Sequence, residues 1–351
     1  MKIFSKFYKK ILSYFFFIIY GKISANQNNF DKKLIVKKKI YKKVSYKFFE
    51  INNSRLYTNS SDVAYITNNT IISGPSIQFR RKLNANVIHN IVIHKGTPKF
   101  YKKINCRVFS LLCGIDTNNY YHWFFDCLPK LLIFKRFYKF EKNDFFLAPN
   151  LKHDFQIKSL RMLNIKNILN AASLKHVYAK KIITTSFTNF TIDHKDWLIK
   201  ELRDKFTLTK RKISKQNLKI FLDRKGVSSL IRDISNKEEL IKFLRNENFL
   251  IIDPSKLSFV DEIKLFNAAK IVVGIYGAGL TNAIFCQKKT HIIELKNNQT
   301  DSLFKNIIKK SKLNYHFLTS EVKASKYSSK PFDGFININI LKLSKILSKI
   351  N

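Results

Sequence analysis

The sequence predicts an α/β chain whose second half is a doubly wound, parallel-sheet domain. Three observations predict it. Short apolar runs alternate with helix-like segments from Leu218 to Leu295, at the spacing of strands in a sheet covered on both faces. A Gly277-Ala278-Gly279 turn follows one of these runs and opens a further helix. The chain has 351 residues, more than one core of usual size accommodates, so two domains are expected.

Composition narrows the function classes. A hydrophobic share of 45% with 14% aromatics excludes wholesale disorder. The 65 basic and 24 acidic side chains leave a net charge of +41, which suits a polyanionic partner. The basic residues are nevertheless dispersed, as in Lys37-Lys38-Lys39, Lys102-Lys103, Lys288-Lys289 and Lys309-Lys310. Asn, Ile and Phe abound beside Lys, the set that A/T-rich codons encode, so part of the charge is compositional drift. Attraction to anionic lipid or to phosphorylated substrates survives this argument, and specific nucleic-acid binding does not. Cys106, Cys113, Cys127 and Cys286 have neither metal-ligand spacing nor the density of a disulfide scaffold, which fits a reducing compartment.

The elements follow in order. A basic lead (Lys2, Lys6, Lys9, Lys10) precedes an apolar run from Ile11 to Tyr20, closed by Lys22. The run is about half of the roughly 20 residues that a membrane-spanning helix needs. Residues 1–25 therefore fit an interfacial anchor best, with a cleaved leader or a helix packed on the domain as alternatives. Residues 26 to about 105 read as β-rich, with runs at Val63–Thr67, Ile71-Ile72 and Val87–Ile93. A strand over Val108–Leu112 leads to an apolar helix through Phe137 that Pro129 kinks or splits. A buried strand over Asp144–Pro149 and an amphipathic helix over Phe155–Leu163 come next, and Asp193-His194 reads as a solvated loop.

A helix over Trp197–Phe206 and a connection at Lys210-Arg211-Lys212 close the first domain, 26–209. In the second, 210–330, strands are expected at Leu218–Leu222, Phe249–Ile252, Ile271–Val273 and His291–Leu295. Ser235 with Glu238 forms a capping box for one helix, Ser258 starts another, and Leu280–Phe285 makes a third. Residues 331–351 are expected to hold an amphipathic helix from Phe335 to Ile350.

Two constellations carry chemistry. A glycine turn at the carboxyl end of a parallel strand exposes backbone N–H groups and the positive end of a helix to an anion. Arg224, just past the Leu218–Leu222 strand, falls on the same edge and suits a diphosphate; Glu294 suits ribose hydroxyls. Gly277-Ala-Gly279-Leu-Thr-Asn282 lacks the third glycine of a dinucleotide fingerprint, so a nicotinamide oxidoreductase is the weaker reading. The second constellation is Asn118-Asn-Tyr-Tyr-His122-Trp-Phe-Phe-Asp126-Cys-Leu-Pro129. On a helix, His122 and Asp126 share a face, and the carboxylate can orient the imidazole as a base. A core histidine satisfied by a nearby acid is the alternative. No metal-ligand cluster or serine elbow is present in the sequence.

Asn119 to Pro129, Arg224, Phe259–Phe266 and the Val272-Val-Gly-Ile-Tyr-Gly-Ala-Gly-Leu-Thr-Asn282 run together resemble glycosyltransferase family 61, over about Val108 to Leu295. The resemblance implies a GT-B architecture: two Rossmann-like domains facing a cleft, here with a β-rich N-terminal segment. It further implies inverting transfer from a nucleotide-sugar donor to a glycan or glycolipid acceptor, without a cofactor or catalytic metal, as in capsule or lipopolysaccharide assembly. Carried over by position, His122 or Asp126 is the candidate base. Arg224 contacts the diphosphate, and Glu294 the ribose. Tyr276, Gly277, Ala278, Gly279, Leu280, Thr281 and Asn282 form the donor turn. The family usually has His where this chain has Tyr276, which removes a positive charge beside the departing diphosphate. A non-catalytic glycan- or lipid-binding protein of the same fold is the alternative. The expected setting is the cytoplasmic face of an anionic membrane, reached through the N-terminus.

Overall fold

The computed structural model describes residues 2–26, 32–59, 62–79, 83–84, 86–115, 118–186, 194–206, 216–225, 227–328, 330 and 333–350. The chain is mixed α/β and forms two compact units, Met1–Phe190 and Thr191–Asn351.

The first unit is built on a mixed sheet. Its spine is the long strand Val44–Thr58, antiparallel to His176–Thr185 on one side and to Leu34–Tyr41 and Asp62–Thr67 on the other. Beyond His176–Thr185 the pairing turns parallel, through Lys102–Ser110, Phe145–Ala148 and Ile168–Asn170. The β-rich and α/β parts of this unit thus share one sheet, where the sequence suggested a β segment followed by an α/β one. Alternate residues such as Ile51, Val177, Ile182 and Val108 fill its core.

Local polar chemistry overrode one expectation here. The Val87–Ile93 run is not a strand but two short helices, Val87–His89 and Ile91–Lys95. Asn86 and Asn90 cap them, their side chains accepting from the N–H groups of Ile88 and Val92.

The N-terminal helix runs from Lys2 to Tyr20. Phe16 is buried against Phe100, with ring centroids 5.0 Å apart, and the Tyr20 hydroxyl accepts from the Tyr101 N–H at 3.2 Å. Tyr8, Ile11, Tyr14, Phe15 and Ile18 stay exposed. Among the described residues no helix is long and apolar enough to cross a membrane.

The second unit holds a five-stranded parallel sheet ordered Phe249–Ile252, Leu218–Leu222, Ala269–Ile275, His291–Asn297, Asn314–Ser320. Helices Lys237–Asn246, Phe259–Asn267 and Leu303–Lys310 connect these strands, and Ser258 caps the second by accepting from the Asp261 N–H. The Ser235–Glu238 capping box does not form. Ser235 is used by a small sheet, its N–H and hydroxyl both donating to the Ile336 carbonyl, and the helix begins one turn position later, behind Asn236. That sheet also claims Gly334–Ile336, which shortens the expected Phe335–Ile350 helix to Ile340–Leu347.

Helix Asp196–Phe206 was expected in the first domain but groups with the second unit, so the division falls at 190/191 rather than 209/210. Arg203 fixes it, donating to the carbonyls of Ile284 at 3.0 Å and Cys286 at 2.8 Å. His194 is buried rather than solvated, its carbonyl accepting from Lys310 at 2.5 Å. Asp193 and the Lys210-Arg211-Lys212 connection lie outside the described residues. All four cysteines carry free thiols.

Candidate functional site

In the second unit the chain passes from Leu218–Leu222 to Phe249–Ile252 on one side, then crosses to Ala269–Ile275 on the other. The carboxyl ends of Leu218–Leu222 and Ala269–Ile275 therefore flank the topological switch point, where connections leave in opposite directions and a crevice opens. Arg224 follows the first strand and Gly277 the second.

Arg224 is held from below. Lys237 donates to its carbonyl at 2.9 Å and pairs with Asp223 at 2.8 Å and Asp233 at 2.6 Å. This staples the loop after the strand to the first turn of the Lys237–Asn246 helix. Gly277 has φ of 157°, and a Cβ there would collide with Arg224 Nη1 and stand 3.6 Å from Arg232 Nη1. Only glycine admits the guanidinium so close to the backbone. The turn continues into a 3₁₀ helix, Ala278–Phe285, with Ala278 and Gly279 half-buried at its start. Leu280, Thr281 and Asn282 are fully buried. Leu280 packs on the sheet, 3.1 Å from where a Cβ on Gly274 would be, so its side chain supports the turn from beneath.

Glu294 pairs in register with Gly274 and is 1% exposed. Its Oε2 accepts from the Tyr315 hydroxyl at 2.5 Å, while Oε1 is buried with no partner. Burial is the leading influence on this carboxyl and holds its pKa above the usual value despite the Tyr315 bond. An acceptor left open in this way is suited to sugar hydroxyls. The Phe317 ring stacks on Tyr315 at 5.9 Å and is 52% exposed, an apolar face beside that acceptor. Tyr276 donates its hydroxyl to Asp301 at 2.9 Å. Burial and then the Asp301 carboxylate push its pKa far above the ordinary phenol value, so it is a neutral donor.

His122 and Asp126 belong to the first unit. Asn119 caps the helix Tyr120–His122, accepting from the Tyr121 N–H. A π-helical stretch, Trp123–Cys127, then intervenes before the α-helix Leu128–Phe137, with Pro129 in its first turn. The expected split thus falls just before Pro129, as a widened turn of the kind common at functional sites. Trp123 to Cys127 are buried, and His122 keeps a third of its side chain exposed. His122 Nδ1 lies 2.7 Å from Asp126 Oδ2. Beneath the pair, burial raises the Cys113 thiol to about 12 and lowers the Lys130 amine to about 8. Lys130 donates to the Leu112 carbonyl at 2.5 Å, tying the helix to the end of the Lys102–Ser110 strand.

In the second unit the fold brings together Arg224, Tyr276 and the Gly277–Gly279 turn, with Glu294 on the neighbouring strand; His122 and Asp126 pair in the first. The sequence reading missed Arg232, Asp301, Tyr315 and Asp333. Asp333 meets Arg232 from far along the chain, and no local pattern announces such a contact. Tyr315 could have been found, because the Asn314–Ser320 run has strand composition and faces Glu294 in a continued parallel sheet. Among the described residues no group of three or more His, Cys, Asp or Glu could hold a metal ion.

A parallel sheet with a cationic, glycine-lined turn at its switch point, in a chain that also carries a paired His and Asp, has the parts of a group-transfer enzyme. The family model of glycosyltransferase 61 matches residues 120–293, about half of the chain, and supports glycosyltransferase activity with a donor and an acceptor substrate. No curated protein matches the chain.

Proposed function

We propose that the protein is an inverting, GT-B-type glycosyltransferase that moves a hexose or pentose from a nucleotide-sugar donor to a hydroxyl of a growing surface glycan. One observation carries the reading: Arg224 and the Gly277 turn converge at the switch point of the parallel sheet, inside the matched segment. The second unit binds the donor, with its diphosphate on Arg224 and the N–H groups at Ala278 and Gly279, and its ribose on Glu294. With Asp126 ionised, Nδ1–H of His122 donates to it and Nε2 is left to accept the acceptor's proton. The hydroxyl oxygen then attacks the anomeric carbon from the face opposite the diphosphate, and the carbon–oxygen bond to the diphosphate breaks. No step calls for a bound metal or a cofactor.

The test is a panel of nucleotide sugars incubated with the purified chain and a glycan acceptor, with release of nucleoside diphosphate and product stereochemistry read by NMR. Inverted product supports the reading. Tight nucleotide binding without transfer or hydrolysis on any acceptor would instead mark a non-catalytic binding protein.

The same function calls for a place at a lipid surface. Ile11, Tyr14 and Ile18 recur at helical spacing on the exposed side of the N-terminal helix, in a chain of net charge +41. An anionic bilayer offers both the apolar interface and the opposite charge. We assign this face to the headgroup region of such a membrane, at its cytoplasmic side, where a glycolipid acceptor would be at hand.

A further inference from the structure

The donor-site reading leaves a second cation at the turn without a role. Arg232 follows the short helix Val227–Ile231, and three groups orient its guanidinium. Nε and Nη2 donate to Asp333 Oδ1, and Nη1 donates to the Tyr276 carbonyl at 2.5 Å. Its Cζ also lies over the Tyr276 ring, 5.0 Å from the centroid. The same Nη1 points at the glycine turn, 3.6 Å from the Cβ position of Gly277, where Arg224 Nη1 is closer still. Two guanidiniums are thus brought to one glycine at the carboxyl edge of the sheet.

We infer that Arg232 is a second diphosphate-binding residue, and that Tyr276 is the positioning residue that seats it. The inference rests on the donor-site reading above. Bringing two like charges together is unfavourable, although Asp233 and Asp333 act against the effect of Arg232 on Arg224. Burial, followed by the charge of Arg232, lowers its guanidinium to about 10. An anion between them removes that repulsion. A diphosphate suits the arrangement better than a monophosphate does, because two guanidiniums that meet at one glycine can each take a different phosphate, Arg232 from its Nη1 side while Asp333 holds Nε and Nη2. Tyr276 brings no charge of its own. Its ring face and its carbonyl hold Arg232, and its hydroxyl is tied back to Asp301. When the bond from the anomeric carbon to the diphosphate oxygen breaks, the electron pair stays on a diphosphate that both guanidiniums already hold, which makes it a better leaving group.

The experiment is calorimetric titration of the full chain with the uridine, guanosine, cytidine and adenosine diphosphates. It is repeated with the monophosphate of whichever base binds tightest. Arg232→Ala should weaken the diphosphate at least tenfold and the monophosphate much less. Arg232→Lys, which keeps the charge but cannot span Asp333, the Tyr276 carbonyl and the turn at once, should fall between, and carries the test if the alanine variant does not fold. Tyr276→Leu, which removes the ring face under Arg232, should lose part of the diphosphate affinity. Equal loss of both ligands in the Arg232 variants, or no loss, overturns the inference while leaving the donor site standing. A wild-type chain that binds none of the diphosphates overturns the donor site and this inference with it.

Discussion

His122 Nδ1 and Asp126 Oδ2 lie 2.7 Å apart across one turn of a locally widened helix, with the carboxylate buried and the imidazole partly open. Burial is the main influence on Asp126 and raises its pKa, while the hydrogen bond and the charge of His122 pull the other way. Asp126 therefore depends on His122 to favour its ionised form. His122→Ala and Asp126→Ala should each lower kcat by about 100- to 10,000-fold with little change in donor affinity, the loss expected when a general base or its orienting acid is removed. Steady-state kinetics beside donor titrations check this. Unchanged kcat in both variants would return the pair to a purely structural role.

The two turn glycines should respond differently to a methyl group. At Gly277 the added Cβ meets the Arg224 guanidinium, and the backbone is in a conformation that side chains rarely adopt. Gly277→Ala should therefore lower the melting temperature and displace Arg224, weakening nucleoside diphosphate binding at least tenfold. At Gly279 the nearest atom, Leu222 Cδ1, would be 3.8 Å away, an ordinary contact. Gly279→Ala should leave thermal stability unchanged. A loss of ligand affinity in this variant, measured by calorimetry, would then report a ligand lying against the backbone.

Much of this unit was legible because its physics is local. The Leu218–Leu222 and Phe249–Ile252 strands follow from apolar runs bounded by turn residues, and Ser258 announces its helix because a capping hydroxyl acts within one turn. Ser235 misled for the complementary reason. Its hydroxyl was claimed by Ile336, a strand partner far along the chain, and a local motif yields to a nonlocal pairing of which the sequence shows nothing. Val87–Ile93 failed differently: its β-branched residues favour a strand, but Asn86 and Asn90 supply caps that stabilise single helical turns. The position of Arg224 beside the glycine turn was legible from its place after a strand. Arg232 was not, because what holds it comes from Tyr276 and Asp333.

Glu294 should show opposite signs in stability and function. A carboxyl whose pKa is raised by folding ionises more readily in the unfolded chain, so its burial costs stability as pH rises above the ordinary value of 4.5. Glu294→Gln removes the ionisation and can still accept from Tyr315. Its melting temperature should exceed that of the wild type at pH 7 and approach it near pH 4, while nucleotide affinity at pH 7 falls. A variant less stable than the wild type at pH 7 would mean that the charge itself is stabilising.

The exposed face of the N-terminal helix yields a binding prediction. The full chain should sediment with vesicles containing phosphatidylglycerol and much less with phosphatidylcholine alone, and salt should release it. Ile11→Glu with Ile18→Glu puts two charges on that face and should abolish sedimentation without changing donor affinity. Sedimentation that survives the double substitution would place the lipid contact elsewhere.

His176 sets an acid limit on the first unit. Its Nδ1 contacts the Lys99 carbonyl at 2.7 Å, the rings of Tyr20, Tyr57 and Tyr101 surround it edge-on, and Nε2 is buried with no partner. Burial lowers its pKa from 6.5 to about 4, outweighing the Lys99 contact. The neutral ring is the native form, so its contribution is complete above pH 6.5. Below that pH the unfolded chain takes up a proton that the folded one refuses, and stability falls by at most about 1.4 kcal/mol per pH unit until the folded ring also protonates. His176→Phe keeps the aromatic packing but cannot titrate. Urea unfolding of both proteins from pH 7 to pH 4 should therefore show the wild type losing stability relative to the variant below pH 6.5. Parallel curves across that range would mean that the buried imidazole does not resist protonation.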